Sequence, residues 1–218
     1  MPDPRPAVPA SGAPPAWWHE AGSALAAADP RLADVIDQWR GRGHLSSRGD
    51  PFTTLARSIV GQQISVKAAQ AVWQRFERAA RTVEPLRVSR MRIGTLTRAG
   101  LSGRKAEYLR DLAGHFVSGA VDPAHWPGLD DEAVIAELVQ VRGIGRWTAE
   151  MFLMFNLLRP DVLPLDDLGL LKAVGVHYND GVTVSRRQAA ELGERWRPWR
   201  TAATWYLWRS LDPLPVEY

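Results

Sequence analysis

The sequence predicts an all-α protein, with two helical subdomains flanking a cleft. Apolar residues recur at helical spacing along most of the chain. Helix-start signals precede several of those runs, as at Asp29-Pro30, Ser65 and Ser185. The Val-rich runs are short and sit inside helical periods, so no segment reads as a strand.

Composition narrows the function classes. Cysteine is absent, which removes disulfides, thiol nucleophiles, thiolate zinc and iron–sulfur clusters. A reducing, cytoplasmic setting is the simplest fit. No apolar run is long enough to span a bilayer and no signal segment opens the chain, so no membrane partner is expected. The net charge is only +3, yet the 27 basic residues include just three lysines, Lys67, Lys105 and Lys172. Arginine suits bidentate phosphate contacts, although a coding bias toward it explains the count equally well. Ten tryptophans are more telling, because flat rings fill cores and also line sites for planar ligands.

Residues 1–15 are Pro-, Ala- and Gly-rich and read as a disordered tail ahead of one domain over 16–218. In that domain the N-terminal and C-terminal helices are expected to form one lobe and residues 65–165 the other. Trp17-Trp18 begins a helix running to about Ala28, and Asp29 caps the next, with Pro30 at its first position. Leu32, Val35, Ile36 and Trp39 share one face. Two helices follow over Pro51–Ala79, split by Gly61-Gln62-Gln63-Ile64-Ser65, with Ser65 as a cap. The two amides at this junction are either a solvated turn or hydrogen-bonding probes aimed into a cleft. Val88–Ala99 reads as one short helix stopped by Gly100. Gly103-Arg104-Lys105 heads another helix, as an exposed cap or a phosphate site. Asp130–Val139 is amphipathic, with Ala133, Val134, Ile135, Leu138 and Val139 on its buried side. Ser185 starts a helix, and Pro198 opens the last one, which carries Trp199, Trp205, Tyr206 and Trp208.

The densest stretch is Leu138–Leu171, LVQVRGIGRWTAEMFLMFNLLRPDVLPLDDLGLL. An apolar helix that stops at Gly143-Ile144-Gly145 and restarts at once makes a tight helix–hairpin–helix motif. Both glycines permit positive φ and close backbone approach. The N–H groups at the start of the second helix can bind a phosphate whatever the base sequence, and the turn carbonyls can hold a monovalent cation. Asp166 and Asp167 follow Pro164 and precede Leu168, Leu170 and Leu171, so one of them should cap that helix. Both could instead be solvated caps. A carboxylate at a helix N-terminus in a cleft can stabilise an oxocarbenium-like sugar or orient water against it.

Through GIGRWTA…LPLDDLGL, the chain resembles the helix–hairpin–helix, Gly/Pro-rich-loop, Asp superfamily of DNA glycosylases, and within it the bacterial 3-methyladenine DNA glycosylase II group. The resemblance runs from about Pro51 to Leu211. It includes Ile59–Val66 and the Arg195-Trp196-Arg197-Pro198-Trp199-Arg200 segment. The forty or so residues expected to be ordered ahead of Pro51 leave no room for the N-terminal β-domain of larger members, so a compact form is expected. The resemblance implies that Asp167, not Asp166, is the catalytic carboxylate. It implies a base pocket from Trp147, Trp208, Met151 and Leu168, and DNA contacts from Gln62, Gln63, Ile64, Gly143, Gly145, Arg146 and Thr148. Of these, Gln62, Gln63 and Ile64 are the candidates for the wedge that fills the space of a flipped base. It places a structural cation, Na+ or K+, on the carbonyls of Val139, Val141 and Ile144, with no cofactor for catalysis and no iron–sulfur cluster. Relatives that also cut the backbone carry a lysine where this chain has Trp147, and tryptophan cannot form a Schiff base.

The implied protein is a monomeric, monofunctional glycosylase. It hydrolytically removes alkylated bases such as 3-methyladenine and 7-methylguanine from double-stranded DNA in base-excision repair. A non-catalytic helix–hairpin–helix DNA-binding module and a glycosylase for another damaged or mismatched base are the alternatives. The five histidines, His19, His44, His115, His125 and His177, show no metal-ligand spacing.

Overall fold

The computed structural model describes residues 12–211, so most of the tail expected over residues 1–15 lies outside the described residues. In chain order the helices are α1 (Trp18–Ala28), α2 (Pro30–Trp39), α3 (Pro51–Gly61), α4 (Val66–Ala80), α5 (Pro85–Ser89), α6 (Ile93–Arg98), α7 (Gly103–Ser118), α8 (Asp131–Leu138), α9 (Arg146–Phe155), α10 (Leu168–Tyr178), α11 (Arg186–Gly193) and α12 (Arg200–Leu211). Single 3-10 turns cover Trp126–Gly128 and Glu194–Trp196. No strand occurs among the described residues, which is the all-α class expected. No helix there is long and apolar enough to cross a membrane.

The helix starts follow their capping chemistry. Asp29, Asp50, Ser65, Ser102, Asp130, Asp167 and Ser185 each accept a backbone N–H of the first turn they precede. Ser185 and Gln188 close a capping box. One expected helix divides. Val88–Ala99 belongs to two helices, α5 and α6, because the Met91 N–H closes a tight turn on the Val88 carbonyl and extended Arg92 begins a new helix. Val139 is also not on a buried face: it is the C-cap of α8 and its side chain is 41% exposed.

The chain folds into two compact units. One contains residues 12–47 and 153–211, the other residues 48–152. In the first, Trp18, Leu25, Leu32, Ile36, Leu45, Leu170, Val174, Trp196, Ala203 and Leu207 form one buried cluster. Trp18 meets the edge of Trp205 at 5.1 Å and stacks on Tyr206 at 5.5 Å. Asp29 is buried in the same unit. Its Oδ1 accepts the Arg31 and Leu32 N–H groups, and its Oδ2 accepts the Tyr178 hydroxyl at 2.8 Å and Trp196 Nε1–H at 3.2 Å. Burial, and then the bond to Asp29, raise the Tyr178 pKa, so that hydroxyl stays a donor. In the second unit Phe52, Ile59, Val60, Trp73, Phe76, Leu109, Leu112, Trp126, Val134 and Phe152 are buried.

Asp29→Ala removes the cap of α2 and leaves two donors without an acceptor. Thermal or urea unfolding is expected to show a loss of about 2–4 kcal/mol. A loss under about 0.5 kcal/mol, the level of an ordinary surface substitution, would contradict the role given to this carboxylate.

Candidate active site and nucleic-acid interface

In the first unit, the Pro-bounded loop between α9 and α10 is fastened to the start of α12. The Thr201 hydroxyl donates to the Arg159 carbonyl at 2.6 Å and accepts the Val162 N–H at 3.0 Å. Arg200 donates to both carboxylate oxygens of Asp161 at 2.6 and 3.0 Å, and Arg197 adds a third bond at 2.7 Å. The loop ends in a turn closed by the Asp167 N–H on the Pro164 carbonyl. This turn directs the two aspartates oppositely. Asp166 points outward and pairs with Arg186 at 2.8 Å. Asp167 is buried, and its Oδ1 accepts the Leu170 N–H at 2.6 Å and Trp208 Nε1–H at 2.8 Å.

Trp208 therefore holds the carboxylate as well as forming a wall. It is only 5% exposed, and its ring stacks on Phe155 at 6.0 Å and 10°. Gly169 permits this approach. A Cβ there would lie 3.1 Å from Asp167 Oδ1 and 3.5 Å from the indole. A glycine in the first turn of a helix was the only sequence sign of it. Leu168, the first residue of α10, is 77% exposed beside the carboxylate. Trp147 and Met151 belong to the second unit, where their i, i+4 spacing puts them on one face of α9. Met151 is buried there and Trp147 half-buried.

The second unit carries the hairpin. Between α8 and α9, Val141 N–H bonds the Leu138 carbonyl and Ile144 N–H bonds the Val141 carbonyl. Gly143 has φ +89°, and a Cβ there would strike the Tyr108 ring at 2.2 Å. Gly145 is different. Its φ is outside the left-handed region and a Cβ would meet open space, so nothing inside the fold demands glycine there. Close approach by an external backbone or phosphate is the remaining physical use. The first intrahelical bond of α9 runs from Ala149 N–H to the Gly145 carbonyl, so the N–H groups of Arg146 to Thr148 precede the helical ladder. Thr148 itself is buried. The Arg146 guanidinium is held by Glu132 and Glu150, and the Glu132 contact chiefly raises its pKa. Its charge is thus partly neutralised within the protein.

The carbonyls of Val139 and Ile144 accept none of the hydrogen bonds found among the described residues, and that of Val141 accepts one, from Ile144. Oxygens with spare lone pairs on a turn fit a monovalent cation. No cluster of His, Asp or Glu suited to a metal occurs among the described residues.

The junction after α3 lies in the same unit. Gln62 Nε2–H donates to the Gly143 carbonyl at 2.8 Å, tying the junction to the hairpin. Gln63 has φ +59° and its side chain is exposed, as is that of Ile64. Lys105, read from the sequence as an exposed cap or a phosphate ligand, instead donates to the carbonyls of Val60 and Gln62.

The chain is similar in sequence and fold to known proteins. The chain is 31% identical over 184 residues to DNA-3-methyladenine glycosylase 1 of Schizosaccharomyces pombe, covering 83% of this chain and 80% of that protein. Its fold matches the crystal structure of a DNA-3-methyladenine glycosidase from Bacillus halodurans with a TM-score of 0.81 at 36% identity, covering 88% and 89% of the two chains. It also matches the Schizosaccharomyces pombe 3-methyladenine DNA glycosylase Mag1 in complex with abasic DNA, with a TM-score of 0.75 at 30% identity over 91% and 99% of the chains. A family profile matches residues 56–198, a span that holds the junction, the hairpin and Asp167: the chain belongs to the HhH-GPD superfamily of base excision DNA repair proteins.

Proposed function

We propose that the protein is a monofunctional DNA glycosylase. It extrudes an alkylated base from duplex DNA and hydrolyses the N-glycosyl bond, which begins base-excision repair. The observation that carries this reading is the buried Asp167 carboxylate, fixed by the Leu170 N–H and the Trp208 indole N–H. The names of the relatives support alkylated purines as the substrate class.

The chemistry follows from the substrate. A 3-methyladenine or 7-methylguanine base already bears positive charge. When the C1′–N bond breaks, its electron pair neutralises the base, so no general acid is needed. The sugar becomes oxocarbenium-like, and the Asp167 carboxylate stabilises that charge and orients the attacking water. Water forms the new C1′–O bond and releases its proton, by way of the Asp167 carboxylate, to solvent, leaving free base and an abasic site. Trp147 offers no amine for a Schiff base, so the backbone is not cut. Trp147, Met151, Leu168 and Trp208 are the residues we assign to contact with the base, and a cationic purine gains from the aromatic rings among them. The hairpin N–H groups at Gly145 to Thr148 hold a phosphate, and Gln63 fills the vacated stack beside Ile64. The Val139, Val141 and Ile144 carbonyls would hold a monovalent cation, Na+ or K+, which supplies positive charge for a second phosphate. The protein works as a monomer on DNA.

Wild-type protein is expected to release 3-methyladenine or 7-methylguanine from methylated duplex DNA, with strand breaks appearing only after alkali or heat. If both bases stay attached, the reading fails, and breaks without alkali would contradict the monofunctional mechanism. Trp208→Phe keeps the ring stack but removes the donor to Asp167. Single-turnover excision should slow about 10- to 100-fold, the scale of a misplaced catalytic group. Affinity for an abasic duplex should stay within about threefold of wild type, since the hairpin is untouched. An unchanged excision rate would show that the indole N–H does not position the carboxylate.

A further inference from the structure

Helix α7 carries three residues, Lys105, Tyr108 and Asp111, at successive i, i+3 positions on one face. Each meets one of the two loops assigned to DNA. Lys105 Nζ donates to the Val60 carbonyl at 2.8 Å and the Gln62 carbonyl at 2.6 Å, satisfying acceptors that the end of α3 would otherwise leave open. The Tyr108 ring fills the space that any side chain at position 143 would need. Asp111 accepts the Arg142 N–H at 2.8 Å through Oδ2 and Arg142 Nε–H at 3.0 Å through Oδ1. Gln62 then closes the circuit through its bond to the Gly143 carbonyl. Burial partly desolvates the Lys105 ammonium and lowers its pKa, and its two carbonyl bonds engage it within the fold rather than at the free surface.

We propose that Lys105, Tyr108 and Asp111 are positioning residues that lock the 62–65 junction and the 139–145 hairpin into one rigid clamp. None of the three need touch DNA. Gln63 stands at the tip of the junction in a left-handed conformation that few side chains adopt unforced. It can serve as a wedge only if the residues on both sides of it are fixed. Lys105 fixes the backbone of the preceding residue, and Gln62 carries that constraint to the hairpin. The phosphate grip and the wedge thereby arrive at the duplex in a set register, and the ordering entropy is spent in folding rather than in binding. This inference rests on the glycosylase reading and adds to it the residues that set the clamp.

The test is a double-mutant cycle on binding to a duplex with a central abasic site, with excision of methylated purines measured beside it. Lys105→Met should weaken binding about tenfold, and Lys105→Arg, which can still donate to both carbonyls, should return it to within about threefold of wild type. Gln63→Ala should weaken binding several-fold in the wild-type background and less than about twofold in the Lys105→Met background, because a wedge that is no longer held has little left to lose. Asp111→Ala, at the other end of the strip, should show the same overlap with Gln63→Ala, and it carries the test if Lys105→Met does not fold. Losses that multiply independently in both cycles, or Lys105→Met and Asp111→Ala proteins that bind like wild type, would overturn the clamp. Wild-type protein that binds the abasic duplex yet excises no methylated purine would instead sink the catalytic reading, whatever the cycle gives.

Discussion

The site depends on one capping interaction. Asp167 sits where the chain leaves an irregular loop and enters α10, and its side chain accepts the Leu170 N–H that the helix cannot satisfy itself. That bond fixes the carboxylate relative to the helix axis, and the Trp208 N–H fixes its rotation. Everything nearby serves this placement. The loop is fastened to α12 by Thr201 and by the Asp161–Arg200 pair, and α10 and α12 pack together through Leu170, Val174, Ala203 and Leu207. Trp208 lies on the same α12 as Thr201. The helix that anchors the loop therefore also supplies the second donor to the carboxylate.

The second unit is organised around backbone groups rather than a side chain. Its hairpin turn depends on Gly143 lying against Tyr108. Several charged side chains around it are engaged within the same unit: Arg142 with Asp111, Arg146 with Glu132 and Glu150, Lys105 with two carbonyls. Oriented peptide dipoles at the helix start add positive potential there beyond what the net charge of +3 conveys.

Much of this was legible in the sequence because its signals are local. Asp29-Pro30, Ser65, Ser185 and Asp167 are caps that act within three residues of themselves, and the Gly143-Ile144-Gly145 turn lies between two apolar helices. The choice of Asp167 over Asp166 came from the family resemblance, and the outward pairing of Asp166 with Arg186 gives it a physical basis. What was hidden depends on long side chains and distant partners. The target of Lys105 lies 43 and 45 residues away, and that of Trp208 lies 41 residues away. Gly143 and Gly145 look alike in sequence, yet one is demanded by the fold and the other is not. The break inside Val88–Ala99 was missed because both halves keep helical spacing and only the turn at Met91 separates them.

Asp167→Asn asks most directly whether the buried carboxylate does the chemistry. The amide oxygen can still cap α10 and accept from Trp208, so the fold and the DNA grip are preserved while the negative charge is lost. Single-turnover excision of 3-methyladenine or 7-methylguanine should fall by about 10²-fold or more, the scale of removing a preorganised electrostatic group. Affinity for an abasic duplex measured on the same preparation should stay within about fivefold of wild type, since phosphate contacts dominate it. An Asn variant that excises at the wild-type rate, or whose loss of activity is matched by an equal loss of binding, would contradict the account.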